Sequence, residues 1–295
     1  MNKPLLSLTL AALLLFSSCV KKEDDKEPVL DRKTAKELSN SAIEYLKNAP
    51  TIVEAYARLK HDGTAYQEIP YELSRFSFVA EREKLVLRFG MLSAAIAYEK
   101  VMGEKTQLPE IMDLYAKYVK ELNVDPVVTS TYERYLKKME GREIDSLFLE
   151  ELTSGLKREQ TSLIDHLKET DEEFLFYYFF GMLVEVSYIK TFITDEKTFS
   201  PGSMLPDKTK SPNMKYMREI YNSKKYGKYA QMYRPVVEIF MHSDEYSKMD
   251  PAAKKELISK TIKDLREEIE VVIRDTGDKA LHCRHHVNRD LEFLS

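Results

Sequence analysis

Phe174-Leu175-Phe176-Tyr177-Tyr178-Phe179-Phe180, continued by Met182, Leu183, Val184, Val186 and Ile189, is apolar on nearly every side of a helix, and Asp171 stands before it as a cap. A helix with no polar face is either a membrane span or the core of a bundle. Glu185 near its middle and Lys190 close behind decide between the two, because either charge is costly in hydrocarbon. The stretch therefore reads as the central apolar helix of an all-α protein.

Helix signals extend outward from it in both directions. Thr34 to Glu37 and Thr51 to Glu54 have capping-box spacing, and Pro50 stands beside the second start. His61-Asp62-Gly63 is a stop. Leu73 to Met102 reads as one long or broken helix ended by Gly103, and Thr106 to Leu122 as another, with Pro109 in its first turn and Asn123 at its end. Asp125-Pro126 and Asp250-Pro251 each place a proline just inside a helix start, opening helices to Met139 and Ile273. Asp145 starts a helix that runs to Lys168. No stretch alternates convincingly as a strand, and Asp195 to Asn213 is the one long loop. The expectation is a bundle of about eight to ten helices around the central apolar one.

Two of these helices carry the same tetrapeptide, Phe89-Gly90-Met91-Leu92 and Phe180-Gly181-Met182-Leu183. Tyr98 and Tyr188 follow at offsets that differ by one residue, about 100° around a helix, so the echo is not a clean repeat. It reads as a coincidence between two core helices, with an ancient duplication as the alternative.

The start of the chain has the parts of a secretory signal. Lys3 supplies the charge, Leu5 to Phe16 is an apolar run too short to span a membrane, and Ser17-Ser18 is the small-residue cleavage region. Leu15-Phe16-Ser17-Ser18-Cys19 resembles the lipobox of bacterial lipoproteins, with Phe16 where Leu, Val or Ile is usual. The resemblance implies that Cys19 is acylated and becomes the mature N-terminus. Lys21-Lys22-Glu23-Asp24-Asp25 behind it resembles the signal that sends Bacteroidetes lipoproteins to the cell surface, and Val20 is not the inner-membrane retention residue. The expected organisation is a signal peptide over 1–18, a charged tether over 19–33, a helical bundle over 34–274 and a tail over 275–295. The expected address is the outer membrane, lipid-anchored and facing out.

Composition narrows the rest. The formal charge of −4 argues against a nucleic-acid partner. With Cys19 lipidated, Cys283 has no partner for an internal disulfide, so stability rests on core packing. Phe78 to Val124, with Leu87-Arg88-Phe89-Gly90-Met91-Leu92-Ser93-Ala94-Ala95, Ala97-Tyr98 and Leu114 to Leu122, resembles a family of helical, largely uncharacterised Bacteroidetes lipoproteins. Asp145-Ser146-Leu147 and Gly181 to Tyr188 are similar to a second region of that family. The resemblance implies address and fold and carries no activity.

Three constellations hold candidate chemistry. Glu185, among Phe and Tyr, is a candidate functional carboxylate with a raised pKa, or a structural one satisfied by Tyr, Ser or an arginine such as Arg88. Lys215, Arg218, Lys224, Lys225 and Lys228, interleaved with Tyr226 and Tyr229, form a basic patch for an anionic glycan, lipid headgroups or an acidic protein, or else a solvated face over core tyrosines. His282, His285 and His286 share a helical face near Cys283 and are weak metal ligands at a chain end with no evident carboxylate beside them. No phosphate loop, nucleophile elbow, haem or di-iron motif occurs, so no cofactor is expected and the reading leans away from an enzyme. The expected function is a lipid-anchored binding or interaction protein. Its alternatives are a small-molecule or lipid binder with an apolar cavity among the aromatic helices, and an unrecognised enzyme centred on Glu185.

Overall fold

Apolar periodicity and local capping chemistry together place each helix. The computed structural model describes residues 40, 43–44, 46–71, 81–103, 107–139, 142–194 and 250–270. Among these there is no strand, and seven helices follow in order: α1 (Ile52–His61), α2 (Arg82–Met102), α3 (Leu108–Glu121), α4 (Pro126–Lys138), α5 (Ser146–Thr170), α6 (Glu172–Ile193) and α7 (Pro251–Glu270). The fold is an all-α helical bundle.

Side chains hold most of the starts. Thr51 Oγ1 accepts from the Glu54 amide at 3.1 Å, Asp125 from Val127 at 2.8 Å, Asp145 from Phe148 at 2.7 Å, Asp171 from Phe174 at 2.9 Å and Asp250 from Ala252 at 2.9 Å. Each satisfies an amide that the first turn leaves open. Glu54 does not complete a capping box; its carboxylate takes Arg58 instead, at 2.7 Å. Gly103 (φ 97°) and Asn123 (φ 48°) end α2 and close the turn after α3 in the left-handed region, where a Cβ is penalised.

Burial concentrates on two helices. Along α2 every residue from Lys84 to Glu99 is buried, and α6 buries most of its length. α2 packs against α1, α3, α4, α6 and α7, while α5 packs against α1, α4 and α6. No described helix is long and apolar enough to cross a membrane. In α6 the obstacle is visible in the sequence, since Glu172, Glu173, Glu185 and Lys190 interrupt its apolar length.

The two Phe-Gly-Met-Leu segments meet where α2 crosses α6. A Cβ placed on Gly90 would lie 2.1 Å from the Tyr178 carbonyl oxygen and 2.9 Å from the Met182 amide nitrogen. A Cβ on Gly181 would lie 2.0 Å from the Leu87 carbonyl oxygen. The contact is reciprocal, because Tyr178 precedes Gly181 by the same three residues that separate Leu87 from Gly90. Glycine is required because backbone lies against backbone; a methyl group has no flexible neighbour to push aside. Around this crossing the aromatic rings close up. Phe89 stacks on Tyr115 at 4.8 Å and on Tyr178 at 5.3 Å, and the Tyr178 hydroxyl donates to Ser93 Oγ at 3.2 Å. Tyr132 donates to the Ser93 carbonyl.

The crossing generates a direct test. Gly90→Ala and Gly181→Ala should each lower the free energy of unfolding by about 3 kcal/mol or more, measured by urea titration followed by circular dichroism. Gly155→Ala is the control, because a Cβ there meets only the end of the Lys138 side chain at 3.6 Å. That change should be neutral or stabilise α5 by up to about 1 kcal/mol.

Candidate functional site

Ionisable side chains buried in an apolar interior must be paired, hydrogen-bonded or neutral. The described residues hold one such group where α6 meets α7. Ile258, Ile262, Leu265 and Ile269 form the buried stripe of α7, and that stripe carries Arg266 and Glu270 inward with it. Arg266 Nε donates to Glu185 Oε2 at 2.8 Å and Nη2 to Oε1 at 3.4 Å, while Nη1 lies 2.8 Å from Glu270 Oε1. Glu185 and Glu270 are each 1% exposed and Arg266 is 5% exposed. The guanidinium also lies over the Tyr188 ring, 4.3 Å from its centroid, and 5.9 Å from that of Tyr71.

Arg266 thus touches both carboxylates, and burial dominates the titration of Glu185. Burial raises the Glu185 pKa above its ordinary value, and Arg266 draws it back only in part. Burial opposes the Arg266 charge, but Glu185 and Glu270 together more than offset this and hold its pKa above the usual arginine value. Arg88 stands next to the group. Its Nε donates to the Ile269 carbonyl at 2.9 Å and its Nη2 to the Glu270 carbonyl, the last carbonyls of α7 that the structure describes. The arginine expected from sequence to satisfy Glu185 was Arg88; the carboxylate is instead held by Arg266, and Arg88 holds the α7 backbone.

A second polar seam ties the segment after α1 to α2. The Tyr98 hydroxyl accepts the Gln67 amide at 3.0 Å and donates to the Gln67 carbonyl at 2.7 Å. Tyr66 stacks on Tyr98 with centroids 5.5 Å apart, and its hydroxyl donates to Glu99 at 3.2 Å. Burial pushes the Tyr98 phenol up to about 12. The end of α6 is closed by Gln67 Nε2 on the Ile193 carbonyl (3.3 Å) and Lys255 Nζ on the Thr194 carbonyl (2.6 Å). Lys190, buried one turn earlier, has its pKa pushed down to about 8 by desolvation. His166, isolated in sequence, lies 2.7 Å from the Asp125 carboxylate, and this contact holds the Asp125 carboxyl below its ordinary value.

Several expected residues fall outside the described set: Cys19 and the 19–33 tether, the basic patch of Lys215, Arg218, Lys224, Lys225, Lys228, Tyr226 and Tyr229, and the His282, His285, His286 and Cys283 cluster. Among the described residues no group of three or more His, Cys, Asp or Glu is placed to hold a metal ion. A shallow groove of about 260 Å³ runs between α4 and α5, walled by Arg134, Arg158, Glu159 and Leu163. Lys138 and Arg134 both pair with Glu159 at its edge. This groove lies away from the aromatic stretch of α6, where the cavity alternative would place a ligand.

Sequence reasoning missed Arg266. It sits on an amphipathic helix of ordinary composition, and only its register with Ile262, Leu265 and Ile269 marks it as inward-facing. No family model, curated protein or solved structure matches the chain.

The shared guanidinium leads to a stability prediction with a definite sign. Arg266→Met removes the guanidinium that holds the buried Glu185 and should cost about 3–5 kcal/mol in urea unfolding at neutral pH. The folded-state pKa of Glu185 lies above its unfolded value of 4.5, so the proton it carries favours the folded state at low pH. Stability from this group is complete below the unfolded pKa and is lost as pH rises through the folded one. Without Arg266 the folded pKa rises further. The deficit of Arg266→Met relative to the parent should therefore shrink when unfolding is measured at pH values below about 4.5. A deficit that stays constant with pH would contradict the assignment.

Proposed function

We propose that the chain is a lipoprotein, anchored to the outer membrane through an acyl-modified Cys19 and facing outward, whose helical body binds a partner and performs no catalysis. The observation that carries this reading is Leu15-Phe16-Ser17-Ser18-Cys19 behind a short apolar run, followed by the acidic Glu23-Asp24-Asp25 stretch. In the same proposal the chain is a member of the helical Bacteroidetes lipoprotein type that it resembles, with eight to ten helices in all around α6.

The interior supports binding over catalysis. A catalytic carboxylate needs access to a substrate, whereas Glu185 is 1% exposed and held by Arg266. Its environment raises its pKa, as catalytic sites do, but the pairing to a guanidinium is what a structural carboxylate needs. Work done by this protein then falls to its surface. The surface reading rests on the run from Lys208 to Arg234, where Glu219 is the sole acid among Lys215, Arg218, Lys224, Lys225 and Lys228, with Tyr226 and Tyr229 between them. Such a run attracts an anionic glycan or an acidic protein by charge and supplies ring area for contact.

Two measurements bear on this. Cells expressing the protein and fed labelled palmitate should incorporate the label, and Cys19→Ser should abolish incorporation and release the protein from the membrane fraction. Label retained in Cys19→Ser would overturn the anchor. Binding of the purified body to dextran sulfate should weaken at least tenfold in a triple charge reversal at Lys224, Lys225 and Lys228, and should fall as salt rises. Binding that is indifferent to both would remove the patch from the proposal.

A further inference from the structure

α4 and α5 run antiparallel, because Asp125 before α4 meets His166 near the end of α5, and Lys138 at the end of α4 meets Glu159. The groove between them is charged on both walls. Along α4, Val127, Thr131 and Arg134 fall at spacings of four and three and so share one face. Arg158, Glu159, Ser162 and Leu163 of α5 line the opposite side.

Most of these groups are held in place. Arg134 donates through Nε to Glu159 Oε2 at 3.2 Å and through Nη2 to Thr131 Oγ1 at 2.8 Å. Lys138 takes the other oxygen of Glu159. Burial alone would raise the Glu159 pKa, but the bonds from Lys138 and Arg134 outweigh it and hold the carboxyl below its ordinary value. Glu159 is therefore an ionised acceptor at neutral pH. Ser162 Oγ donates to the Arg158 carbonyl at 3.1 Å, which leaves its lone pairs to accept. The Arg158 side chain is exposed and makes no ion pair with a described residue. Val127, 38% exposed, and Leu163 supply the apolar part of the walls.

This combination selects a ligand class. A guanidinium fork matches a carboxylate or a phosphate with two parallel N–H bonds. Phosphate is the poorer occupant, because its second negative charge would face Glu159. An amino acid is poorer too, since its ammonium would enter beside Lys138, Arg134 and Arg158, and the one carboxylate already serves two of them. A fatty acid would cover Ser162 and Glu159 with a chain that bonds to neither. A sugar acid meets every condition, with a carboxylate for the guanidinium, hydroxyls for the acceptors and a C–H face for the apolar walls. The space, about 260 Å³, is just under the roughly 300 Å³ at which pockets for drug-sized ligands begin. It takes one ring and leaves the rest of a chain outside.

We propose that the groove between α4 and α5 binds one carboxylate-bearing sugar of an anionic glycan. Its carboxylate sits on the Arg158 guanidinium, its hydroxyls donate to Glu159 and Ser162, and its C–H face lies on Val127 and Leu163. The inference rests on the reading of the body as a binder of anionic glycans, and it adds a site that recognises a single sugar by its shape and its acid group.

Methyl β-D-glucuronide is the probe, titrated against the full chain in ligand-observed nuclear magnetic resonance. It should bind saturably, and methyl β-D-glucoside, which lacks the carboxylate, should bind about tenfold more weakly or not at all. Arg158→Ala should weaken glucuronide binding about tenfold or more. Arg158→Lys should weaken it about threefold or more, because an ammonium keeps the charge and loses the fork. Arg158 is exposed, so neither variant threatens the fold. Dextran sulfate binding, assigned above to Lys224, Lys225 and Lys228, should stay within about twofold in Arg158→Ala. Glucuronide binding that is absent, that the glucoside or inorganic phosphate equals, or that Arg158→Ala leaves unchanged would overturn the site. If dextran sulfate binding still depends on the three lysines in that event, the broader reading stands without it.

Discussion

The distance between α2 and α6 governs this structure. Two glycines set it, each lying against the backbone carbonyl of the opposite helix at a separation that admits no side chain. Helices usually pack 8–10 Å apart because side chains stand between them; here the side chains are absent at the crossing and the rings flanking it close in instead. Phe89 is thereby set between Tyr115 and Tyr178, and Ser93 comes within reach of the Tyr132 and Tyr178 hydroxyls. If the crossing opened, the stacked rings and the buried hydroxyl bonds would be lost together, because a close-packed interior does not stretch evenly.

The same crossing fixes where Glu185 points. It lies one helical turn beyond Gly181, on the part of α6 that α7 covers. A carboxylate in that position cannot reach solvent, so the fold must bring it a cation, and α7 brings Arg266. The ion pair is weak evidence for net stability, since desolvation offsets much of its attraction. Its geometry, more than its energy, ties α7 to one register. α7 could slide along an apolar seam with modest loss, but not past a guanidinium that is bonded to two acids and lies over the Tyr188 ring. Arg88 adds a second lock by holding the carbonyls of Ile269 and Glu270.

Much of this was legible in the residues. Thr51, Asp125, Asp145, Asp171 and Asp250 announce helix starts because a short polar side chain before an apolar run has one local use, and that use does not depend on the rest of the fold. Gly103 and Asn123 announce ends for the same reason. Long-range pairing was not legible in that way. The repeated Phe-Gly-Met-Leu was visible as an echo, but nothing local says that the two copies face each other. Glu185 stood out because its neighbours are aromatic, whereas Arg266 lies among polar residues and is revealed only once α7 is docked. The polar seam through Gln67, Tyr66 and Tyr98 depends on a segment without helical periodicity and left no signal to read.

Gly90 and Gly181 form one contact and not two independent small-residue sites. A double-mutant cycle over Gly90→Ala and Gly181→Ala, read from urea unfolding, measures this directly. One methyl group forces α2 and α6 apart, and the second then enters space already opened. The double variant should therefore be less destabilised than the sum of the singles by more than about 1 kcal/mol. Losses that add to within about 0.5 kcal/mol would contradict the account, because the two glycines would then be acting apart.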